Sequence, residues 1–402
     1  MRTENGSGRG GAGRLVRARR KIGSQHRLGV VRTGGTVGSS TRAVGNSDEM
    51  VVKLSRGEND RQLFTEVLAK RADGRKWHLQ YAQPKWRRPS ENMSPSDWSD
   101  IADQVLHLAR QGNDMVLVLH GTDTATYTAA ALSFLLADLP IPVVITGSNV
   151  PPSEDDTDAF HNIDHALTAT TRLGPGTYLS FSGSCSGPSY VHLGTSVRKV
   201  LASSQSFFSI NRPPVARVVD TARKSVFKPS DGYRRRGWVD RDLASTIPSA
   251  AGSLEFDTGV LSFSVYPGCD LGALLDVIRI RGYRGVVLQL YPSGTGPEHD
   301  DPHGPISLPK FIEECTARDV VVVGTVPVGP SLKTNHYEST IALVNAGAVL
   351  SRYLLPETAL VKLMWLLARS DDTAWIGQMM TQAIAGEIPD DDAIGLFHEH
   401  FV

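Results

Sequence analysis

A regular alternation of short apolar runs with an amphipathic stretch is the feature that most constrains this sequence. The apolar runs at 115–119 and 143–146 are bounded by turn residues, as strands are, and residues 125–136 between them carry apolar side chains at helical spacing. Residues 28–31 and 178–181 are similar apolar runs. Strand, helix and strand in this order predict an α/β fold with a mainly parallel sheet. In such sheets, functional residues follow the carboxyl ends of the strands.

The length of the chain predicts more than one domain, because 402 residues exceed the usual size of one hydrophobic core. The alternation breaks at 212–258, where a proline pair, three consecutive arginines and the sequence PSAAG are typical of a linker or insertion. We therefore predict a larger N-terminal catalytic domain at 27–211, whose mainly parallel sheet is flanked by helices. A smaller C-terminal α/β domain is predicted at 259–402.

Residues 1–26 are rich in glycine and arginine and poor in apolar side chains, which predicts a disordered basic extension. A nucleic-acid-binding arm would have a similar composition. The lack of aromatic residues among the basic ones favours a solvated extension, or a start site placed too far upstream.

The overall composition excludes several classes of partner. Lysine plus arginine equals aspartate plus glutamate at 42 each, so no net charge attracts nucleic acid or a membrane. No apolar run is long enough to span a bilayer, and the N-terminus lacks a hydrophobic signal core. The three cysteines, Cys185, Cys269 and Cys315, have no metal-ligand spacing and predict neither a metal site nor a disulfide framework. We expect a cytoplasmic protein.

The sequence TGGT at 33–36 follows directly on the first predicted strand. Its two glycines allow a tight turn and a close approach to a ligand, and Thr36 places a hydroxyl at the carboxyl end of the strand. A simple turn and a dinucleotide-binding loop are the alternatives. The second is disfavoured, because no helical pattern follows and no second strand ends in an acidic residue at the expected distance.

The sequence HGTDT at 120–124 joins an apolar strand to the predicted helix. Backbone N–H groups near Thr122 therefore lie by a helix N-terminus, where they favour developing negative charge. Thr122 or Asp123 could instead serve only as the helix N-cap. Capping explains one polar residue but not the whole run, which favours chemistry.

A threonine hydroxyl needs a base to accept its proton, and Lys199 is a candidate. It follows a later strand of the same sheet, from where it could pair with Asp123 and face Thr122. A free lysine has a pKa of about 10.4, so it acts as a base only if that pKa is lowered or its proton is relayed. The alternative is a solvated lysine, as most lysines are.

These motifs together resemble the bacterial L-asparaginase family, most closely its cytoplasmic type I branch. The resemblance covers about residues 28–390 apart from the insertion. It rests on TGGTVG at 33–38, HGTDTATYTAAALSF at 120–134, MSPSDW at 93–98, TGS at 146–148, Asp158 with Asn162, residues 194–199 with Phe208, and residues 358–367.

The resemblance implies a role for each matching residue. Thr36 corresponds to the primary nucleophile, and Thr122, Asp123 and Lys199 to a supporting triad of hydroxyl, charge partner and proton acceptor. Ser90 corresponds to the residue that holds the substrate α-carboxylate, and Asp123 also to the one that binds the α-amino group. The neighbouring positions expected to contact substrate are Glu91 and Gly121. Backbone amides near Thr122 are expected to stabilise the oxyanion.

The same resemblance implies hydrolysis of L-asparagine to L-aspartate and ammonia, with no cofactor and no metal, in a homodimer or homotetramer. His120 is then expected to have a structural role, since Lys199 already serves as the base.

Two departures from the family pattern keep other functions open. No tyrosine lies between Val37 and Arg61, where the family has one in a mobile loop, and Glu91 adds negative charge beside the site. One alternative is the same chemistry on another amide, or acyl transfer to a nucleophile other than water. Another is a catalytically silent homologue with a binding role.

Overall fold

The computed structural model describes residues 25–43, 50–54, 59–71, 76–201, 206–233, 237–238, 240, 243–244, 247, 254–300, 306–327, 337–351 and 353–389. Residues 1–24 of the predicted basic extension and the arginine run at 234–236 lie outside these ranges.

The N-terminal part of the chain, up to residue 229, contains twelve described strands, four α-helices and two short 3₁₀ helices. The strands are β1 Gln25–Arg32, β2 Ser39–Ala43, β3 Met50–Leu54, β4 Lys76–Ala82, β5 Met115–Leu119, β6 Pro142–Thr146, β7 Gly176–Phe181, β8 Ser189–Leu193, β9 Val197–Lys199, β10 Phe207–Ser209, β11 Ala216–Asp220 and β12 Ser225–Pro229. The α-helices are α1 Asn59–Lys70, α2 Pro95–Arg110, α3 Ala125–Leu135 and α4 Ala159–Thr170, and the 3₁₀ helices are Thr36–Gly38 and Ser90–Asn92.

Eight of these strands form one sheet in the order β12-β11-β8-β7-β6-β5-β1-β4. The five strands from β7 to β4 are parallel, and the remaining pairs at the other edge are antiparallel. Every residue of β5 and β6 is buried, as expected for central strands covered by helices on both faces. The predicted mainly parallel sheet flanked by helices is confirmed.

The antiparallel edge extends the large sheet beyond residue 211, the predicted end of the N-terminal domain. Both β11 and β12 lie within 212–258, the range predicted to be a linker, and they pair with each other and with β8. β1 likewise begins at Gln25, inside the segment predicted to be disordered. Each of these strands satisfies backbone hydrogen bonds in the sheet, which a linker or a disordered segment would not do.

The C-terminal part is a smaller α/β unit. Its strands are β13 Val260–Ser264, β14 Gly285–Gln289, β15 Val321–Thr325 and β16 Val349–Leu350, all parallel and in sequential order. Its helices are α5 Leu271–Arg281, α6 Leu308–Thr316, α7 Glu338–Asn345, α8 Pro356–Leu367 and α9 Thr373–Met380. The predicted smaller C-terminal α/β domain is confirmed. No helix among the described residues combines the length and apolar character needed to cross a bilayer.

The two units share a hydrophobic contact between α3 and α8. The rings of Phe134 and Trp365 stack with their centroids 5.4 Å apart. In addition, the hydroxyl of Thr358 donates a hydrogen bond of 2.9 Å to the carbonyl of Thr195, close to β9. Helix α8 of the smaller unit therefore supports the part of the large unit that carries Lys199.

Candidate active site

The candidate site residues lie in loops that follow neighbouring parallel strands. Thr36 follows β1, Ser90 follows β4, Thr122 follows β5 and Gly147 follows β6. Because these four strands are adjacent in the sheet, their carboxyl ends meet at one edge. The two threonine motifs are thereby brought together from positions far apart in the sequence.

The contact between the two motifs depends on glycine. Gly35 has a φ of 82°, and a Cβ added to it would lie 2.4 Å from both the nitrogen and the Cα of Gly121. Any larger residue would force the two backbones apart. Gly34 has a φ of 122°, and a Cβ added to it would lie 2.5 Å from the carbonyl oxygen of Arg88. These glycines serve close backbone packing at a tight turn.

The segment after Gly35 excludes the dinucleotide-loop alternative. A single 3₁₀ turn, Thr36–Gly38, follows it, and the chain then enters β2. There is therefore no helix N-terminus at this position to receive a pyrophosphate.

The turn leaves the Thr36 hydroxyl available. The hydroxyl of Ser39 donates a 2.8 Å bond to the Gly35 carbonyl, and the Gly38 amide donates to the same oxygen at 3.0 Å, which closes the turn. Thr36 is partly exposed, and its hydroxyl makes no hydrogen bond to any described residue. It can therefore face a ligand.

Lys199 reaches the second motif from β9. Its Nζ atom donates a hydrogen bond of 2.8 Å to Thr122 Oγ1 and one of 2.6 Å to Asp123 Oδ1. The Lys199 side chain is only 17% exposed, whereas that of Asp123 is 61% exposed. Lys199 is therefore held by the motif rather than solvated, and Asp123 keeps an oxygen available to a ligand.

Neither Thr122 nor Asp123 is the N-cap of α3. The helix begins at Ala125, and its N-cap is Thr124, which makes no side-chain capping bond. The capping alternative is therefore wrong. The Thr122 amide donates to no group in the described part of the chain, so it could stabilise an oxyanion.

Ser90 lies against Gly121 of the second motif. It is buried, and a Cβ on Gly121 would come within 2.6 Å of its Oγ. The hydroxyl of Thr124 donates a 2.8 Å bond to the Ser90 carbonyl, which ties this loop to the second motif. Glu91, the next residue, is exposed. Ser90 thus packs against the second motif, whereas Glu91 faces solvent.

His120 is buried and fully hydrogen-bonded. Its Nδ1 is 2.7 Å from the carbonyl oxygen of Gly121, and its Nε2 is 2.9 Å from the hydroxyl of Thr128. A carbonyl can only accept, so Nδ1 carries the proton and Nε2 accepts from Thr128. Burial lowers the pKa of His120 to about 4, against a smaller opposing effect of the Gly121 bond. His120 is accordingly a neutral positioning residue.

Asp158 and Asn162 fix the loop after β6, a role that the sequence did not indicate. The Asp158 carboxylate accepts hydrogen bonds from the amides of Asn149 and Val150 and from the side chain of Asn162. Asn162 also donates to the carbonyl of Gly147. A Cβ on Gly147 would lie 2.2 Å from the carbonyl oxygen of His120, so this loop packs directly behind the second motif.

The smaller unit holds the residue that precedes Lys199. Arg198 forms an ion pair of 3.0 Å with Glu357 at the start of α8 and donates a 2.5 Å bond to the carbonyl of Pro327. Sequence reasoning missed this contact, because no spacing pattern links residues so far apart in the chain.

Comparison with known proteins identifies related chains. Two family models match: "Asparaginase, N-terminal" over residues 27–230, and "Glutaminase/Asparaginase C-terminal domain" over residues 260–380. Among solved structures, the thermostable L-asparaginase from Thermococcus kodakarensis is similar with a TM-score of 0.72 and 28% identity, covering 91% of this chain and 100% of that one. L-asparaginase I from Vibrio cholerae has the same fold, with a TM-score of 0.67, 24% identity and the same two coverages.

The curated relatives are named differently from the L-asparaginases found among the solved structures. A protein from Pyrococcus horikoshii named as a component of glutamyl-tRNA(Gln) amidotransferase is 33% identical over 307 residues, which are 74% of this chain and 64% of the relative. The protein of the same name from Methanobrevibacter smithii is 30% identical over 311 residues, 77% of this chain and 66% of the relative. This chain thus spans slightly less than two thirds of the length of these relatives.

Proposed function

This chain belongs to the asparaginase family, and from that premise we propose that it hydrolyses the side-chain amide of L-asparagine by threonine-based acyl transfer. The observation that carries the proposal is the bonding of Lys199 Nζ to both Thr122 Oγ1 and Asp123 Oδ1. The lysine ammonium group thus bonds to the hydroxyl of Thr122 and to the carboxylate of Asp123. The motif that carries Thr36, whose hydroxyl bonds to no described residue, packs against them. This combination is what a threonine nucleophile needs for activation.

In the first step, Thr36 Oγ1 attacks the carbonyl carbon of the amide, and its proton passes through Thr122 Oγ1 to the neutral form of Lys199. The negative charge that forms on the carbonyl oxygen is stabilised by the amide N–H of Thr122. The carbon–nitrogen bond then breaks, and the nitrogen takes up the proton returned by Lys199 through Thr122 and leaves as ammonia. An ester between the substrate acyl group and Thr36 remains, and water hydrolyses it by the reverse sequence of proton transfers.

In this scheme, Lys199 controls whether Thr122 Oγ1 is protonated. Its neutral form can accept that proton, and its charged form stabilises a negative oxygen at the same place. The adjacent Asp123 keeps Lys199 in position at 2.6 Å. Thr122 then serves as the second hydroxyl, either assisting Thr36 or activating the hydrolytic water.

Substrate is held by groups of complementary chemistry. The buried hydroxyl of Ser90 suits an α-carboxylate, and the exposed oxygen of Asp123 suits an α-ammonium group. An amino acid bound between them presents its side-chain amide to the two threonines. We include in the proposal a homodimeric or homotetrameric assembly, as the family resemblance implies. A cytoplasmic location is included because Cys185, Cys269 and Cys315 are all free thiols.

The test is ammonia release from L-asparagine by the purified chain and by Thr36→Ala and Thr122→Val variants. Both substitutions should abolish turnover while circular dichroism and the melting temperature stay close to those of the parent. Thr381→Val is the matched control, because Thr381 is an exposed threonine at the end of α9. Substantial activity in either site variant would refute the assigned role, and a folded parent without turnover of any amide would favour the silent homologue.

A second candidate function is release of amide nitrogen for transfer to another acceptor. The relatives named as amidotransferase components favour it. Turnover of L-asparagine, L-glutamine and a panel of larger amides distinguishes the two. Fast ammonia release from glutamine with none from asparagine would replace the first proposal with the second.

A further inference from the structure

A second cluster of chemically active side chains lies away from the threonine motifs. His161 and His165 are one helical turn apart on α4, and Asp220 at the end of β11 faces both. They border a cavity of about 740 Å³ that is formed by α1, α4, β12 and the chain around Asp220. None of the proposed catalytic residues lines this cavity.

The ligand atoms of the three side chains converge. His161 Nδ1 is 3.6 Å from Asp220 Oδ2, and His165 Nε2 is 3.0 Å from Asp220 Oδ1. One ligand atom from each residue lies within 4.8 Å of the other two. In a tetrahedral zinc site with bonds of about 2.0–2.1 Å, the ligand atoms are about 3.4 Å apart. Small side-chain rotations are enough to reach that spacing.

The outer nitrogen of each histidine is already held. His161 Nε2 is 2.9 Å from the carbonyl oxygen of Gly187 and must donate to it, which leaves the Nδ1 lone pair directed at Asp220. His165 Nδ1 is 2.8 Å from the hydroxyl of Ser189, which can accept from it. Ligand histidines in metal sites donate their other N–H to a carbonyl, a carboxylate or water in the same manner.

The contact between a neutral His161 and Asp220 suits a bound cation. With Nε2 as the donor, a neutral His161 presents a lone pair to a carboxylate oxygen at 3.6 Å, so two electron-rich atoms face each other. A metal cation between them removes this conflict, as does a second proton on the imidazole, which makes the contact an ion pair. His165 differs, because its Nε2 can donate to Asp220 whenever no metal is bound.

The cluster is enclosed by protein on one side and open on the other. The side chains of His165 and His161 are 0% and 11% exposed, whereas that of Asp220 is 54% exposed. The two imidazoles are therefore fixed in the protein, and the carboxylate lies on the open side. A bound ion would keep at least one position for water or an anion.

Basic side chains also line the cavity, namely those of Lys70, Arg71, Arg172, Arg223 and Lys224. Arg71 is bonded to the carboxylate of Asp164 and to Thr168 Oγ1, and Lys70 lies over the ring of Phe160. Their charge disfavours a cation without strong ligands. It favours an anion, such as hydroxide or a carboxylate, in the open coordination position.

We propose that His161, His165 and Asp220 bind one divalent transition metal ion, with zinc as the best fit to two imidazoles and a carboxylate. The ion fastens α4 to β11 and, through Gly187, to the loop between β7 and β8. Because α4 begins at the Asp158 and Asn162 contacts with the loop after β6, the ion stabilises the support of the active site without taking part in the reaction.

The test is calorimetric titration of the untagged, full-length chain with Zn²⁺ after dialysis against a chelator, with Co²⁺ absorption as a second probe. We expect one saturable site per chain, a tetrahedral Co²⁺ spectrum and a rise in melting temperature. His161→Gln and Asp220→Asn should each weaken binding at least about tenfold and remove the spectrum. The control is His107→Gln, since His107 is an exposed helical histidine on α2.

Thr36→Ala should bind zinc as the parent does, which separates this site from the proposed reaction. Absence of saturable binding would overturn the proposal and leave the cluster as a histidine–carboxylate ion pair. Unchanged affinity in His161→Gln would overturn it as well, because the ion would then be bound elsewhere.

Discussion

The Nζ atom of Lys199 lies 2.8 Å from the Oγ1 atom of Thr122, although the two residues are 77 positions apart in the chain. The distance is that of a direct hydrogen bond, so a proton can pass between them without an intervening water. Asp123, adjacent to Thr122, bonds to the same ammonium group. Lys199 is therefore placed to exchange a proton with Thr122 while Asp123 balances its charge.

Replacing Lys199 by methionine should lower kcat by about 10²–10⁴-fold, the usual contribution of a positioned acid–base group. The unbranched side chain keeps the packing but can neither donate nor accept the proton of Thr122. KM should change much less, since Ser90 and Asp123 still hold the substrate. Steady-state ammonia release measures both constants. Lys228→Met, on the exposed end of β12, is the control, and equal losses of kcat in both variants would contradict the role of Lys199.

Gly35→Ala should abolish activity by separating the two threonine motifs. An alanine there combines a φ of 82° with a Cβ that lies 2.4 Å from the Gly121 backbone. Gly268→Ala is the matched control, because Gly268 has a φ of 78° and no atom within 4 Å of an added Cβ. Each should lose about 1–2 kcal/mol of stability from the positive φ. Only Gly35→Ala should also lose turnover, and normal turnover in that variant would show that the contact is dispensable.

Stability should fall as the pH is lowered from about 6.5 toward 4, through the buried histidines. Burial lowers the pKa of His120 to about 4 and that of His192 to about 3, whereas an unfolded chain takes up the proton near pH 6.5. Between these values the unfolded state binds more protons, so the free energy of unfolding decreases as the pH falls. Above pH 6.5 both states are neutral and the effect vanishes.

The free energy of unfolding should change by up to about 1.4 kcal/mol per pH unit for each of these two histidines. This change is the slope of stability against pH. Urea denaturation at pH 7, 6 and 5 measures it. His192→Asn removes one titrating group, so the slope should decrease by about that amount. An unchanged slope would mean that His192 is not held neutral by burial.

The buried ion pair between Lys362 and Glu387 should be sensitive to the loss of one partner. The two side chains are 2.6 Å apart, and both are 0% exposed. Glu387→Gln leaves the Lys362 ammonium without its counter-charge, which should cost about 3–5 kcal/mol in the free energy of unfolding. The double variant Lys362→Met with Glu387→Gln should recover part of this loss. A strictly additive result would show that the two residues do not interact.

The residue pattern alone is sufficient to predict the central strands and the position of the two threonine motifs. Strand β5 and residues 143–145 of β6 are uninterrupted apolar runs, a pattern typical of buried parallel strands. Once their order is clear, the carboxyl-end rule places Thr36 and Thr122 at one edge of the sheet.

The antiparallel edge is not predictable in the same way. β11 and β12 have only five residues each, are partly exposed and carry charged or proline residues. Edge strands tolerate such residues because one side of their backbone is unpaired. A short polar edge strand and a linker therefore look alike in sequence, which explains why the pattern at 212–258 predicts a linker.

Contacts between residues far apart in the chain also cannot be predicted from the sequence pattern. The glycines of the first motif indicate a close approach, but nothing in the pattern identifies Gly121 as the backbone that is approached. His161 and His165 do carry a signal, since histidines four positions apart lie on one face of a helix. Their third partner, Asp220, lies 55 residues beyond His165, so only the folded chain brings it alongside.

The contacts of Arg198 with Glu357 and Pro327 join the large unit to the smaller one beside the proposed base. The large unit contains every group proposed to touch substrate, yet Arg198, the residue next to its lysine, is anchored from outside it. A fragment ending near residue 230 would keep the motifs but lose the restraint on β9. Exchange of the smaller unit with that of a relative would therefore preserve catalysis only where an acidic residue occupies the position of Glu357.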